Sequence, residues 1–211
     1  MFVILICLAL VAVGVVAVVR WGAGPAGTRA PVRAWPVGYV ALALGAGVLA
    51  AGAGGRVLMR LLAVTSPDAH GQITEAGAEI GEITFGGTLG FLVFAGVSAG
   101  VLAAVLYVVV GSVLPRGRAG GIVLGLALLV LAGAQLDPLR PDNFDFNLVG
   151  PGWLSLLAFT ALAVFQGMLT WALAGRLRLP SLPAGRAARV AAAIVLVVAL
   201  PFFVGSIAEI V

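Results

Sequence analysis

Long apolar runs recur along this chain, and they constrain it more than any other feature. A helix needs about 20 apolar residues to cross about 30 Å of hydrocarbon. Segments 2–19, 37–55, 87–113, 119–136, 152–175 and 188–208 meet that length. Each is too continuously apolar to be one face of a soluble helix, and in lipid a spanning helix must close its own backbone bonds. The sequence therefore predicts an all-α integral membrane bundle, a single domain over residues 1–211 with six transmembrane helices. Composition agrees: 62% of residues are hydrophobic and 9% charged, whereas a soluble domain is about a quarter charged. Soluble globular, disordered and nucleic-acid-binding chains are excluded, the last despite a formal net charge of +4. Residues 2–19 also look like the apolar part of a signal peptide. The run is long, however, no basic residue precedes it, and Ile6 stands where a lipoprotein signal needs a small residue before Cys7, so a retained helix is expected.

All 12 basic residues are Arg. Without Lys there is no Schiff base and no Walker A phosphate loop. With one His, His70, and one Cys, Cys7, the chain alone offers no bis-histidine haem, all-His zinc site, CxxC pair or internal disulfide. No cofactor is expected.

Charge placement predicts orientation. Arg20, Arg29, Arg33, Arg116, Arg118, Arg176, Arg178, Arg186 and Arg189 fall in one set of connections, which holds no acid. Every acid lies at the other ends, joined only by Arg56, Arg60 and Arg140. The positive-inside rule places the first set in the cytoplasm and both termini outside. Trp21, Trp35, Trp153, Trp171 and Tyr39 fall near span ends, where amphipathic rings settle.

Glycines punctuate the spans, as in Gly86-x3-Gly90, Gly96-x3-Gly100 and Gly117-x3-Gly121-x3-Gly125. Small residues let helix backbones approach. Internal packing of one bundle is the favoured reading; a homo-oligomer seam or a pore lining is the other. Interior polar candidates include Thr160 and Gln166, which would line a path if one exists. The spans contain no Asp, Glu, Lys or His, which counts against an ion-coupled carrier.

The unusual chemistry lies in two outer loops, 65–86 and 137–151. In the first, Ile73, Ala76, Ile80 and Ile83 share one helical side and Glu75, Glu79 and Glu82 another, predicting a short amphipathic interfacial helix between the second and third spans. Its carboxylates would pair with Arg56 and Arg60, giving an outer charge cluster. Asp68 and His70 with these Glu residues, or Asp142, Asp145 and Asn147 in the second loop, are candidate cation ligands. The EF-hand template fails, because Val149 and Leu156 occupy ligand positions. An ordered structural cap is the simpler reading of that loop. Gly96-Val97-Ser98-Ala99-Gly100 matches a nucleophile-elbow pattern, but it lies inside a span with no His beside it. No catalytic residue is assigned.

The runs GRVLMRLLAVTSPD (55–68), ITEAGAEIGEITFGGTLG (73–90) and DPLRPDNFDFNLVGPGWL (137–154) resemble those of small multi-pass membrane proteins of actinobacterial type. That resemblance implies a bacterial cytoplasmic membrane and carries over no activity and no site residues. Taken together, the expectation is a non-enzymatic accessory, assembly or sensing subunit with acidic extracytoplasmic loops. Its partners would be the lipid bilayer and another membrane protein or a second copy. A channel or carrier for a small solute or ion is the alternative, and a membrane-embedded enzyme using the outer carboxylates the third.

Overall fold

The computed structural model describes residues 2–23, 33, 35–75, 77–133, 149, 151–183 and 185–210; the side chains of 186–189, 191–193, 209 and 210 are outside that description. Among the described residues the chain is helical, with a single isolated β-bridge. The helices are α1 (Phe2–Trp21), α2 (Trp35–Val64), α3 (Phe85–Val110), α4 (Arg118–Gly133), α5 (Gly152–Arg176) and α6 (Arg186–Ile210). Four of them, α1, α2, α3 and α5, are long and apolar enough to cross a membrane. Helix α4 and the Ile194–Ala208 part of α6 are apolar but shorter.

The apolar run 37–55 lies within a longer helix, α2, whose last turns carry Arg56 and Arg60 and which continues to Val64. Arg56 and Arg60 end an apolar run, but a charge does not end a helix. Pro67, without an N–H to donate, stands just beyond, and the Thr65 hydroxyl bonds the Leu62 carbonyl at 2.9 Å as the helix closes.

The interfacial helix expected between the second and third spans is not formed. Ile73–Glu79 is an antiparallel bridge, so the described residues on either side of it turn back on each other. Thr74 N–H donates to the Ala78 carbonyl at 2.8 Å, and Ala78 N–H donates to Thr74 Oγ1 at 3.0 Å. Gly77 and Gly81 adopt φ of +73° and +93°, a left-handed geometry that a helix cannot contain. The apolar periodicity was real, but glycine at these positions weakens a helix by about 1 kcal/mol each, and the turn wins. Ile80 is buried against Ala63, Ala69 and Val149, whereas Ile73 is exposed and Ile83 half-buried. The hydroxyl that caps a helix here is Thr84, which accepts from Gly87 N–H at 3.1 Å at the start of α3.

Two crossings hold the core together, both by backbone approach at glycine. In α2–α3, a Cβ on Gly47 or Gly100 would meet the other's Cα at 2.9 Å. In α4–α5, a Cβ on Gly125 would lie 2.6 Å from Val164 Cα, and one on Gly167 would meet Gly125 backbone directly. Glycines 96, 100, 121 and 125 therefore serve packing within the bundle. Gly86 and Gly90 have nothing within 4 Å. Three helices contain a π-helical turn, at Gly47–Gly52, Leu92–Gly96 and Leu129–Gly133, and the first two lie against each other.

Contacts between helix ends sort them into two groups. Arg118 Nη2 donates to the Val19 carbonyl at 3.2 Å, and Arg176 lies over the Trp21 ring, 5.6 Å from its centroid, so α1, α4 and α5 meet at an arginine-rich end. Residues 177–182 form a strap there. Tyr39 donates to the Pro180 carbonyl, Tyr107 to the Leu179 carbonyl at 2.9 Å, and Ser112 to the Leu182 carbonyl at 2.6 Å. Trp171, expected at the interface, is instead buried in this core, edge-on to Tyr107 at 5.9 Å and packed over Gly120. A ring near a helix end goes inward where a glycine opposite makes room for it. Tyr107→Phe should leave the Leu179 carbonyl unpaired and lower stability by about 1–3 kcal/mol, read as a drop in thermal midpoint in detergent; an unchanged midpoint would remove the strap's role.

Candidate functional site

Two places in the described structure carry polar chemistry away from the arginine-rich end. The first is the opposite end, where residues 65–84 fold over α2 and α3. Arg60 reaches into this loop, and its Nη1 donates to the Gly81 carbonyl at 2.9 Å. Gly81 also lies against the His70 ring: a Cβ there would stand 2.5 Å from His70 Nδ1. Asp68 sits in the 3-10 turn Pro67–Ala69, and Gln72 Nε2 returns to the Asp68 carbonyl at 3.2 Å. Arg60, His70 and the 79–82 segment of the loop are therefore one assembly, closed largely through main-chain groups.

Arg56 lies one helical turn deeper. Its guanidinium stacks on Phe91 of α3, 5.3 Å from the ring centroid, and approaches Gly87. Its Nε is buried without a hydrogen-bond partner, as is the hydroxyl of Thr88. Of the two arginines of the expected charge cluster, Arg60 meets a main-chain carbonyl and Arg56 an aromatic face. Glu75, Glu79 and Glu82 are on the surface of the reversal or its exit and no longer share one helix face, because the reversal replaces the helix. Among the described residues no three His, Cys, Asp or Glu side chains converge as a metal site would require. Asp142, Asp145 and Asn147 lie outside the described residues. Arg60→Ala should cost about 1.5–3 kcal/mol, the range for a charge-assisted hydrogen bond. It should also open residues 70–82 to limited proteolysis while leaving α2 intact. Unchanged cleavage would show that the loop is held by other contacts.

The second place is interior. Gln166 of α5 is 4% exposed, and its Oε1 accepts the main-chain N–H of Ala51 at 3.1 Å. Ala51 lies in the π-helical turn of α2. A π turn breaks the regular i→i−4 ladder and frees backbone groups that must find partners elsewhere in an apolar interior. Gln166 supplies one such partner from a neighbouring helix. Its Nε2 is buried with no partner. Thr170 donates to the Gln166 carbonyl at 2.8 Å, which keeps that hydroxyl within its own helix. Thr160, the other expected path residue, lies half-buried four residues past Leu156 on α5.

Sequence reasoning named Gln166 but not its partner, because a main-chain amide leaves no mark on side-chain pattern. It also missed Phe91, which reads as one more apolar residue. Comparison with family models, curated proteins and solved structures finds no match for this chain. The class that the fold defines is therefore a helical protein with several helices fit to span a membrane.

Proposed function

We propose that this chain is a six-span protein of a bacterial cytoplasmic membrane, with both termini extracytoplasmic. It acts without catalysis, as an accessory, assembly or sensing subunit that presents the 65–86 and 137–151 loops outside. The six-span reading rests on the six apolar runs and on the alternation of arginine-rich and acid-bearing connections. The observation that carries the non-transporting, non-catalytic part is the bond from Ala51 N–H to Gln166. The best-placed interior polar side chain is occupied with holding helix to helix, and Gly47, Gly96, Gly100, Gly121 and Gly125 are packed against neighbouring backbone. The partners are the bilayer and another membrane protein or a second copy, which would meet the ordered loop at Arg60, His70 and Gly81.

A channel or carrier with Thr160 and Gln166 on its path is the second reading. It is favoured by one observation, the buried and unpartnered Gln166 Nε2. Reconstitution into liposomes separates the two. The subunit reading expects no ion or small-solute flux above protein-free liposomes. Flux that Gln166→Leu abolishes in a folded variant would establish the carrier instead.

A further inference from the structure

The arginine-rich end contains a convergence that the proposed function does not use. Arg118, at the start of α4, and Arg176, at the end of α5, are distant in sequence yet meet at the last turn of α1. Arg118 caps that turn through the Val19 carbonyl at 3.2 Å, where the helix dipole is negative. Arg176 lies over Trp21, 5.6 Å from the ring centroid. The two attachment points are two residues apart on one helix, about 3 Å of rise. Both arginines are exposed, and Trp21 is 37% exposed. Two arginines at one helix end call for a counter-charge, and the connections at that end have none to offer: residues 20–35, 111–118 and 176–189 contain no Asp or Glu. The capping bond takes one donor of the five that a guanidinium carries, and a cation–π contact uses its flat face. The remaining guanidinium edges can take an acceptor from outside the chain.

Depth decides what that acceptor is. Trp21 closes a 20-residue apolar helix, so its ring sits where hydrocarbon gives way to headgroups. Basic side chains clustered between helices at that depth match the phosphate of an anionic lipid. We propose that Arg118, Arg176 and Trp21 form a headgroup site for an anionic phospholipid, with the two guanidiniums on its phosphate and the indole at the glycerol-ester level. The site rests on the membrane reading above, whichever face of the membrane it occupies.

The test uses the full chain in detergent. Phosphatidylglycerol and phosphatidylcholine are titrated separately, and bound lipid is counted by native mass spectrometry alongside the thermal midpoint. Phosphatidylglycerol should be retained in preference to phosphatidylcholine and should raise the midpoint. Each arginine at an anionic headgroup is worth roughly fivefold in affinity, so Arg118→Gln with Arg176→Gln should weaken retention about 30-fold. Arg116→Gln with Arg178→Gln removes the same charge from the same end without touching the convergence, and should weaken it less than about fivefold. Equal loss from both pairs would mean diffuse attraction and overturn the site. So would equal retention of the two lipids, or full stabilisation by inorganic phosphate alone. If the Gln pair does not fold, Arg118→Lys with Arg176→Lys keeps the charge but not the fork, and the lipid preference of the wild-type chain still decides. Flotation with phosphatidylcholine vesicles checks the membrane reading separately. A chain that floats but shows no preference loses the site alone, and one that does not float loses both.

Discussion

Gly167→Ala should destabilise the bundle by about 3 kcal/mol or more, at or above the upper end for overpacking. The added methyl meets the backbone of Gly121 and Gly125 on α4, and no side-chain rotamer can relieve a contact between main chains. The α4–α5 pair would have to separate, and α4 has little else to rest on beyond α6 and α3. The matched control is Gly90→Ala. It adds the same methyl where nothing lies within 4 Å, and by helix propensity it should be neutral or stabilising by up to about 1 kcal/mol. Thermal unfolding in detergent, followed by size-exclusion profile, reads both. Equal midpoints for the two variants would mean that α4 does not pack on α5 as described.

Gln166→Leu should loosen α2 from α5. The substitution keeps bulk but removes the side-chain acceptor through which Ala51 N–H ties α2 to α5. Hydrogen bonds between membrane helices measure about 0.6–2 kcal/mol. Amide exchange at Ala51 and its neighbours in the π turn should quicken more than elsewhere in α2. Thr170→Val is the contrast: its hydroxyl bonds only a carbonyl of its own helix, so its loss should change the midpoint far less. If both variants match the wild type in stability and exchange, Gln166 does not hold α2.

What was legible in the sequence was whatever depends on apolar continuity. The starts of α3 and α5, at Phe85 and Gly152, fall within two residues of the expected 87 and 152. Arg56 and Arg60 mark where the apolar run ends, and the helix runs on beyond them to Val64, shortly before Pro67. Periodicity misled at Ile73, Ala76, Ile80 and Ile83, where the left-handed geometry at Gly77 and Gly81 outweighed an apolar stripe. Trp171 read as an interfacial ring and proved to be core, since nothing in the sequence tells that Gly120 lies opposite it. At the candidate site, Arg60, His70 and Gln166 stood out as residues. The groups that hold Arg60 and Gln166, the carbonyl of Gly81 and the amide of Ala51, are main-chain atoms, which no composition or spacing encodes.

The disposition of loops across the membrane tests the central proposal most directly. In a Cys7→Ala background, single cysteines are placed by Gln72→Cys, Asn143→Cys, Ala30→Cys, Arg116→Cys and Gly185→Cys. An impermeant thiol reagent applied to intact cells should label the first two, and all five should react once the membrane is opened. Labelling of Gln72→Cys without Asn143→Cys would break the six-span count. Labelling of Ala30→Cys, Arg116→Cys and Gly185→Cys, with the other two protected, would invert the orientation and place the acidic loops in the cytoplasm.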